Sequence, residues 1–227
     1  RGKVAVLRAE QSQGTSREMA HREARADIEL AAEYSRACAV PPVLIVRGLA
    51  GSGKTTLSRA LSAALAAEYL QTDLVRRERF GSSSAPDPYG QGRYTPARRE
   101  EVYTVLLQRA NRALSLGLPV VMDGVFLQAR WRCLAVDCGR QFGAQSLVVH
   151  CHCPDDVARE RIVRRADRGD DASEARPEIL DRQRLEEEAD VNALPTVDVD
   201  TTRPMEEQLD SIWQALSELG PVPGHAT

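Results

Sequence analysis

The chain shows short runs of mostly apolar residues that alternate with longer segments of helical periodicity. The short runs predict strands, and the most continuous of them predict strands buried on both faces of a sheet. They lie at residues 43–46, 69–71, 119–122, 146–149 and 196–199. Apolar positions three and four apart predict amphipathic helices over residues 55–68, 100–116 and 128–142, and further helices that begin at 154 and 204. This alternation predicts an α/β fold with one open parallel sheet covered by helices on both faces.

Three segments depart from this alternation. Residues 1–40 have a helical pattern rich in Ala, Arg and Glu that a Pro-Pro pair at 41–42 ends, so we expect a helical linker or the tail of an upstream domain. Residues 81–96 are rich in Gly, Ser and Pro, which predicts a mobile surface loop. Residues 164–177 are charged throughout and have no apolar face. The predicted domain therefore covers residues 41–220, followed by a short tail at 221–227.

Composition and charge narrow the class of protein. With 227 residues, 42% hydrophobic and 28% charged, the chain has the profile of a soluble globular protein. No apolar run approaches the roughly 20 residues needed to span a bilayer, so no membrane partner is expected. The net charge of −3 argues against a broad surface for nucleic-acid phosphates, although a local basic groove is compatible with it. Five cysteines, an odd number, do not suggest a disulfide framework, and we predict a cytoplasmic protein. A start at Arg1 is expected of a processed or excised chain.

A phosphate-binding loop is the clearest motif. Residues 48–55, Gly-Leu-Ala-Gly-Ser-Gly-Lys-Thr, fit the pattern G-x-x-x-x-G-K-[ST] between a predicted buried strand and a predicted helix. Such a loop points its N–H groups into one concavity, and the helix adds its positive end. We expect Lys54 to contact the β- and γ-phosphates of ATP and the Thr55 hydroxyl to ligate Mg²⁺. The candidate nucleotide-binding residues here are Gly48, Ala50, Gly51, Ser52, Gly53, Lys54, Thr55 and Thr56.

Two acidic positions are candidates for the chemistry. Asp73 and Arg76 follow the second strand and share one face of a helical turn. Asp73 can take the proton of an attacking hydroxyl, and Arg76 can hold the acceptor or the transferred phosphoryl group. Asp123 ends the third strand and can hold a metal-bound water. The alternative for each aspartate is a helix cap, and for Arg76 an exposed surface arginine.

Arginines crowd the segment that follows Pro154. Arg161 and Arg165 are four residues apart and share a helical face. With the charged stretch that follows, they suggest a lid over the phosphates whose cations neutralise charge during transfer. The alternative is a solvated face paired with the aspartates at 167, 170 and 171.

Residues 42–219 resemble the P-loop kinases of the zeta-toxin-like, or AAA-33, type, which are related in layout to polynucleotide 5′-hydroxyl kinases and adenylate-kinase-like enzymes. The resemblance is carried by residues 48–55, 72–76, 121–126 with Arg130, and 161–175. It implies the sheet order 2-3-1-4-5, with Asp73 as general base, Arg76 as the phosphoryl-contacting arginine and Asp123 as the acidic residue of the third strand. It also implies that the loop at 201–204, which contains Thr202, lies near the adenine.

Residues 1–40 are similar to the segment that joins an aminoglycoside-phosphotransferase-like domain to this kind of kinase domain in bifunctional bacterial proteins. The resemblance thus implies a fused or excised N-terminal phosphotransferase-like domain as a partner.

The resulting hypothesis is an ATP- and Mg²⁺-dependent kinase that phosphorylates a hydroxyl of a small molecule. Alternatives are a polynucleotide or nucleoside 5′-hydroxyl kinase, a toxin acting on a nucleotide-sugar, and a regulatory ATPase module of a fused protein. The candidate metal ligands are Thr55 and Asp123, and the candidate catalytic residues are Lys54, Asp73, Arg76, Arg161 and Arg165.

Overall fold

The computed structural model describes residues 41–81, 87–168, 177–189 and 194–219. The predicted helical linker at 1–40, the tail at 221–227 and the part of the predicted lid at 169–175 lie outside these ranges. The domain limits at 41 and 220 therefore stay a prediction. None of the helices in these ranges combines the length and the apolar character that a membrane span requires.

Five strands in the described part of the chain form one sheet. They are β1 (Val43–Arg47), β2 (Glu68–Gln71), β3 (Val120–Asp123), β4 (Ser146–His152) and β5 (Thr196–Asp200). Every pairing between them is parallel, and the order is β2-β3-β1-β4-β5. The predicted fold class and strand order are confirmed.

Helices connect the strands in chain order. They are α1 (Lys54–Leu65), α2 (Thr72–Phe80), α3 (Pro96–Ser115), α4 (Ala129–Gln141), α5 (Asp155–Arg168), α6 (Pro177–Glu186) and α7 (Met205–Glu218), and a single 3-10 turn (Gly92–Tyr94) precedes α3. The predicted helices at 55–68, 100–116 and 128–142 correspond to α1, α3 and α4 with shifts of a few residues at their ends.

The sheet separates two apolar cores, as alternation along a strand requires. Val43 and Ile45 of β1 pack on one face with residues of α3 and α4. Leu44 and Val46 pack on the other face with residues of α1 and α7. Since all five residues of β1 are buried, this strand is the centre of the domain, and the loop that follows it leaves from the middle of the sheet edge.

Two segments differ from the predictions. Helix α5 continues to Arg168, into the charged stretch in which no element was expected, and α6, which begins at Pro177, was not predicted. The reason for the second miss is that α6 does not face the sheet. Its buried side chains are Leu180 and Gln183, and Leu180 packs in a small cluster with Ala50 of the phosphate loop and Ile162 of α5. A helix with so few buried positions has no apolar stripe to detect.

Candidate active site

The phosphate loop connects β1 to α1 in a conformation that only glycine adopts readily. Gly51 and Gly53 have φ of +76° and +82°, in the left-handed region. A Cβ atom at Gly51 would lie 2.4 Å from the carbonyl oxygen of Ala158, and one at Gly53 would lie 2.9 Å from the Thr201 hydroxyl oxygen. Both glycines are therefore required by the backbone angle and by the close approach of α5 and of the turn after β5.

Three side chains from distant segments hold the outside of the loop. The Ala50 N–H donates to Oε1 of Gln183 in α6 at 2.8 Å. The Thr201 hydroxyl donates to the carbonyl oxygen of Ser52 at 2.8 Å, and Arg161 donates to Thr201 Oγ1 at 2.8 Å and to its carbonyl oxygen at 2.9 Å. Arg161 therefore lies next to the loop, and its expected catalytic role stays a prediction.

Thr201 was missed by the sequence reasoning, which selected the next residue. The Thr202 N–H and hydroxyl both donate to Asp200, at 2.9 Å and 2.7 Å, and its side chain is exposed. The nucleotide-binding role of Thr202 stays a prediction. The signal for Thr201 is its place at the end of β5, whose carboxyl edge adjoins the loop.

Two cavities flank the loop and separate the candidate residues into two groups. The first cavity is lined by Lys54, Asp73 and Arg76, together with Thr72, Arg99, Gln183 and the aromatic residues Tyr89, Tyr94, Tyr103 and Trp131. The second is lined by Gly53, Thr55, Thr56, Arg59, Arg161, Arg164, Arg165 and Thr201. Consecutive residues of α1 thus face opposite cavities, Lys54 the first and Thr55 the second.

Asp123 is buried directly beneath this junction. It is 1% exposed, and Oδ2 accepts a hydrogen bond from the Tyr69 hydroxyl at 2.7 Å. Burial raises the pKa of Asp123, while the charge of Lys54 and hydrogen bonds from Tyr69 and Thr55 oppose that rise. Asp123 caps no helix, because α4 begins only at Ala129.

The residues present fit a magnesium ion that is shared with a nucleotide. A carboxylate and a hydroxyl are ligands that Mg²⁺ accepts, and this ion normally completes its shell with phosphate oxygens and water. Within the described ranges, no group of three or more His, Cys, Asp or Glu side chains is arranged to hold a metal ion without such help. Thr55 and Asp123 would therefore hold the ion only together with bound phosphates.

Asp73 and Arg76 form an ion pair on the wall of the first cavity. Asp73 lies within the first turn of α2, whose N-cap is Gln71, and the Arg76 Nη1 donates to Asp73 Oδ1. Arg76 is buried, and its guanidinium carbon lies 4.5 Å from the centre of the Tyr94 ring. Neither residue is the cap or the solvated arginine that the alternative interpretation described.

The outer wall of the first cavity comes from a segment predicted to be a mobile loop. Asp87 accepts from the Arg93 backbone N–H at 3.0 Å and from its Nε at 2.7 Å. The Tyr89 hydroxyl donates to Oε2 of Glu186 in α6 at 2.6 Å, and Arg99 donates to the same oxygen at 3.4 Å. The described part of this segment, from residue 87 onward, is thus fastened to α6 by side-chain contacts.

The inner wall contains strained backbone. Phe126, after β3, has φ of +49°, which a residue with a side chain seldom adopts. Its N–H donates to the Tyr103 hydroxyl at 2.9 Å, and the fully buried Arg132 donates to its carbonyl oxygen at 2.7 Å. Such over-determined strain clusters at functional sites. The flanking Val125 and Leu127 line the cavity.

Comparison with known proteins places the chain in a family. Residues 43–188 match the AAA domain family AAA_33. The chain belongs to this family. Uncharacterized proteins of Mycobacterium tuberculosis and Mycobacterium bovis are 32% identical over 136 residues, covering 57% of this AAA_33 chain and 26% of their own length. The matched part of the chain thus spans about a quarter of the length of these curated relatives.

Solved structures of similar fold include several kinases. A gluconokinase from Sinorhizobium meliloti 1021 is 20% identical with a TM-score of 0.58, and the match covers 79% of this chain and 93% of the gluconokinase. The Mycobacterium tuberculosis APS kinase CysC in complex with AMPPNP and APS is 19% identical with a TM-score of 0.55, covering 78% and 98%. Kti12 of Chaetomium thermophilum in complex with ADP-AlF3 is 20% identical with a TM-score of 0.60, covering 77% and 99%. This AAA_33 chain has the P-loop kinase fold.

Proposed function

We propose that the chain is an ATP- and Mg²⁺-dependent kinase that transfers the γ-phosphate to a hydroxyl group of a small molecule. The observation that carries this proposal is the division of the site at the start of α1. Lys54 lines one cavity with Asp73 and Arg76, and Thr55 lines the other with Arg161 and Arg165. A phosphate loop between a carboxylate-bearing cavity and an arginine-rich cavity is the arrangement that phosphoryl transfer between two substrates needs.

The arginine-rich cavity is the proposed nucleotide site. The loop N–H groups and the positive end of α1 attract the phosphates, and Arg161 and Arg165 add cationic charge on the other side. Structural neighbours were solved with AMPPNP and with ADP-AlF3, which supports an adenine nucleotide as the donor. Bound Mg²⁺ would neutralise charge on the phosphates and orient them for in-line transfer.

The Asp73 cavity is the proposed acceptor site. Asp73 would take the proton of the acceptor hydroxyl while the hydroxyl oxygen forms a bond to the γ-phosphorus. The bond between the γ-phosphorus and the β,γ-bridging oxygen breaks, and ADP leaves. Arg76 holds the Asp73 carboxylate in place and is itself held against Tyr94. Lys54, at the border between the two cavities, would follow the phosphoryl group as it moves.

The walls of the acceptor cavity favour a small molecule over a polynucleotide end. Contacts of Tyr89 and Arg99 with Glu186 close the side between the 87–99 segment and α6. A nucleic-acid strand would need an open basic groove leading to Asp73, and the net charge of the chain is −3. A nucleoside or polynucleotide 5′-hydroxyl is therefore the second candidate acceptor.

Radiolabelled ATP can test the proposal without knowledge of the acceptor. The chain is incubated with Mg²⁺, γ-labelled ATP and a bacterial metabolite extract, and labelled products are separated from free phosphate. We expect a labelled small molecule with the wild type and a loss of about 10²–10⁴-fold with Asp73→Asn, the range for a lost general base. ATP affinity should stay within about twofold of wild type, since Asp73 lies outside the proposed nucleotide cavity.

The matched control is Asp137→Asn, which removes an exposed carboxylate paired with Arg140 on α4. It should transfer label at the wild-type rate. If Asp73→Asn is as active as the control, Asp73 is not the base. If the wild type releases only free phosphate with every extract, the result favours the alternative of a regulatory ATPase module over the kinase. The expected N-terminal phosphotransferase-like domain stays a prediction.

A further inference from the structure

We propose that Tyr69 is a positioning residue for the metal site. Its hydroxyl holds the Asp123 carboxylate in the orientation that binds nucleotide-associated Mg²⁺. This inference rests on the proposed function. Its basis is the 2.7 Å hydrogen bond from the Tyr69 hydroxyl to Asp123 Oδ2. One carboxylate oxygen is thereby engaged in a fixed direction, and the Thr55 side chain also hydrogen-bonds to this carboxylate.

Strand pairing accounts for this contact. Tyr69 of β2 lies opposite Val121 of β3, and Asp123 is two residues further along β3. Residues two apart on a strand point to the same face of the sheet, so Tyr69 and Asp123 both lie on the face covered by α1. Leu57 and Val121 belong to the core of that face, and the Tyr69 ring packs against it.

The burial of Asp123 makes the contact consequential. A carboxylate that is 1% exposed cannot exchange a lost partner freely for bulk water. Removal of the hydroxyl would leave Oδ2 unsatisfied or allow the carboxylate to turn toward the charge of Lys54, which already acts on it. In either case the carboxylate would be less well prepared to receive a metal ion.

A neutral donor suits this task. The ordinary pKa of a tyrosine hydroxyl is about 10, so the phenol is an uncharged hydrogen-bond donor near neutral pH. It orients the carboxylate without cancelling the negative charge that attracts Mg²⁺. Arg59 also hydrogen-bonds to Tyr69, so its guanidinium lies next to the phenol while the uncharged phenol is the group that donates to Asp123.

The test compares wild type, Tyr69→Phe and Asp123→Asn by calorimetric titration with AMPPNP. The phenylalanine keeps the packed ring and removes only the hydroxyl. Affinity for AMPPNP is measured in EDTA and over a series of Mg²⁺ concentrations. We expect Tyr69→Phe to need about tenfold more Mg²⁺ for the half-maximal gain in affinity, as other outer-shell partners of metal ligands do. Its affinity in EDTA should match the wild type within about twofold. Asp123→Asn should show the larger loss of the Mg²⁺ effect.

Each other outcome has a defined meaning. Equal weakening of AMPPNP binding in EDTA and in Mg²⁺ would show a packing role and overturn the inference. An unchanged Mg²⁺ requirement in Tyr69→Phe, or a lower one, would also overturn it while leaving the proposed function intact. If Asp123→Asn keeps the full Mg²⁺ effect, Asp123 is not a ligand, and Tyr69 has nothing to position. If the wild type binds no AMPPNP at all, the proposed function fails as well.

Discussion

The two cavities beside the phosphate loop are built in different ways. The part of the nucleotide cavity that would contact the phosphates comes from consecutive residues of the phosphate loop and α1, whereas its remaining lining comes from α5, the turn after β5 and α7. Besides Ala50 and Lys54, the acceptor cavity is assembled from side chains of α2, residues 87–99, α3, the strained turn after β3 with the start of α4, and α6. Backbone groups and glycines can be specified by a short motif, whereas a wall made of side chains depends on how distant segments meet. The loop motif therefore predicts the chemistry, and the acceptor cavity determines which molecule receives the phosphoryl group.

The largest effect expected on nucleotide binding comes from a change in the phosphate loop. Gly51→Ala introduces a Cβ at φ of +76° and within 2.4 Å of the Ala158 carbonyl oxygen, which is main chain of α5 and cannot rotate away. The loop must shift, and we expect AMPPNP affinity to fall by at least about tenfold, because a left-handed residue alone costs roughly 1–2 kcal/mol. Calorimetric titration measures the affinity, and thermal unfolding measures the stability.

Gly117→Ala is the matched control for this change. Gly117 has φ of +72°, and a Cβ there would have no neighbour within 4 Å. The control should lower stability by about 1 kcal/mol and leave nucleotide binding unchanged. Equal effects of the two alanines on AMPPNP affinity would contradict the claim that the packing of α5 against the loop shapes the nucleotide site.

A second expected effect is on the pH dependence of stability, and it has opposite signs at Asp123 and at Asp87. Burial raises the pKa of Asp123, so the folded state holds that proton more tightly than the unfolded chain, whose aspartates titrate near about 3.9. The stability that this raised pKa contributes is present below the unfolded pKa and is lost as pH rises through the folded pKa. Asp123→Asn should therefore have a higher melting temperature than wild type at pH 8, with the difference shrinking toward pH 4.

Asp87, beside the acceptor cavity, should behave in the reverse manner. The Arg93 backbone N–H and then its side chain hold the pKa of Asp87 below its usual range. The resulting stability is present above the unfolded pKa and is lost as pH falls through the folded one. Asp87→Asn should thus melt below wild type at pH 7 and approach it at low pH. Melting curves between pH 3 and 8 that shift in the same direction for both variants would contradict the assignment of burial to one site and pairing to the other.

The same division explains which features could be predicted from the sequence. The positions of the strands and of Lys54 and Thr55 follow from local patterns, namely apolar runs and a contiguous motif, whereas the order of the strands was implied by the resemblance to P-loop kinases. Gln183 could not be predicted, because its role depends on α6 lying against Ala50, which no periodicity indicates. Tyr69 was missed for a related reason. Its position two residues before the end of β2 has meaning only once the pairing of β2 with β3 brings it to Asp123.

The smallest expected effect concerns the wall between the 87–99 segment and α6. Glu186→Ala removes the common partner of Tyr89 and Arg99. Because exposed ion pairs contribute about 0–1 kcal/mol, amide hydrogen exchange in a peptide covering residues 87–99 should become only a few-fold faster. The control Glu101→Ala removes an exposed partner of Arg79, and exchange in this peptide should stay as in wild type. Unchanged exchange in Glu186→Ala would mean that the Asp87–Arg93 contacts alone order the segment, and the closure that favours a small acceptor would lose its support.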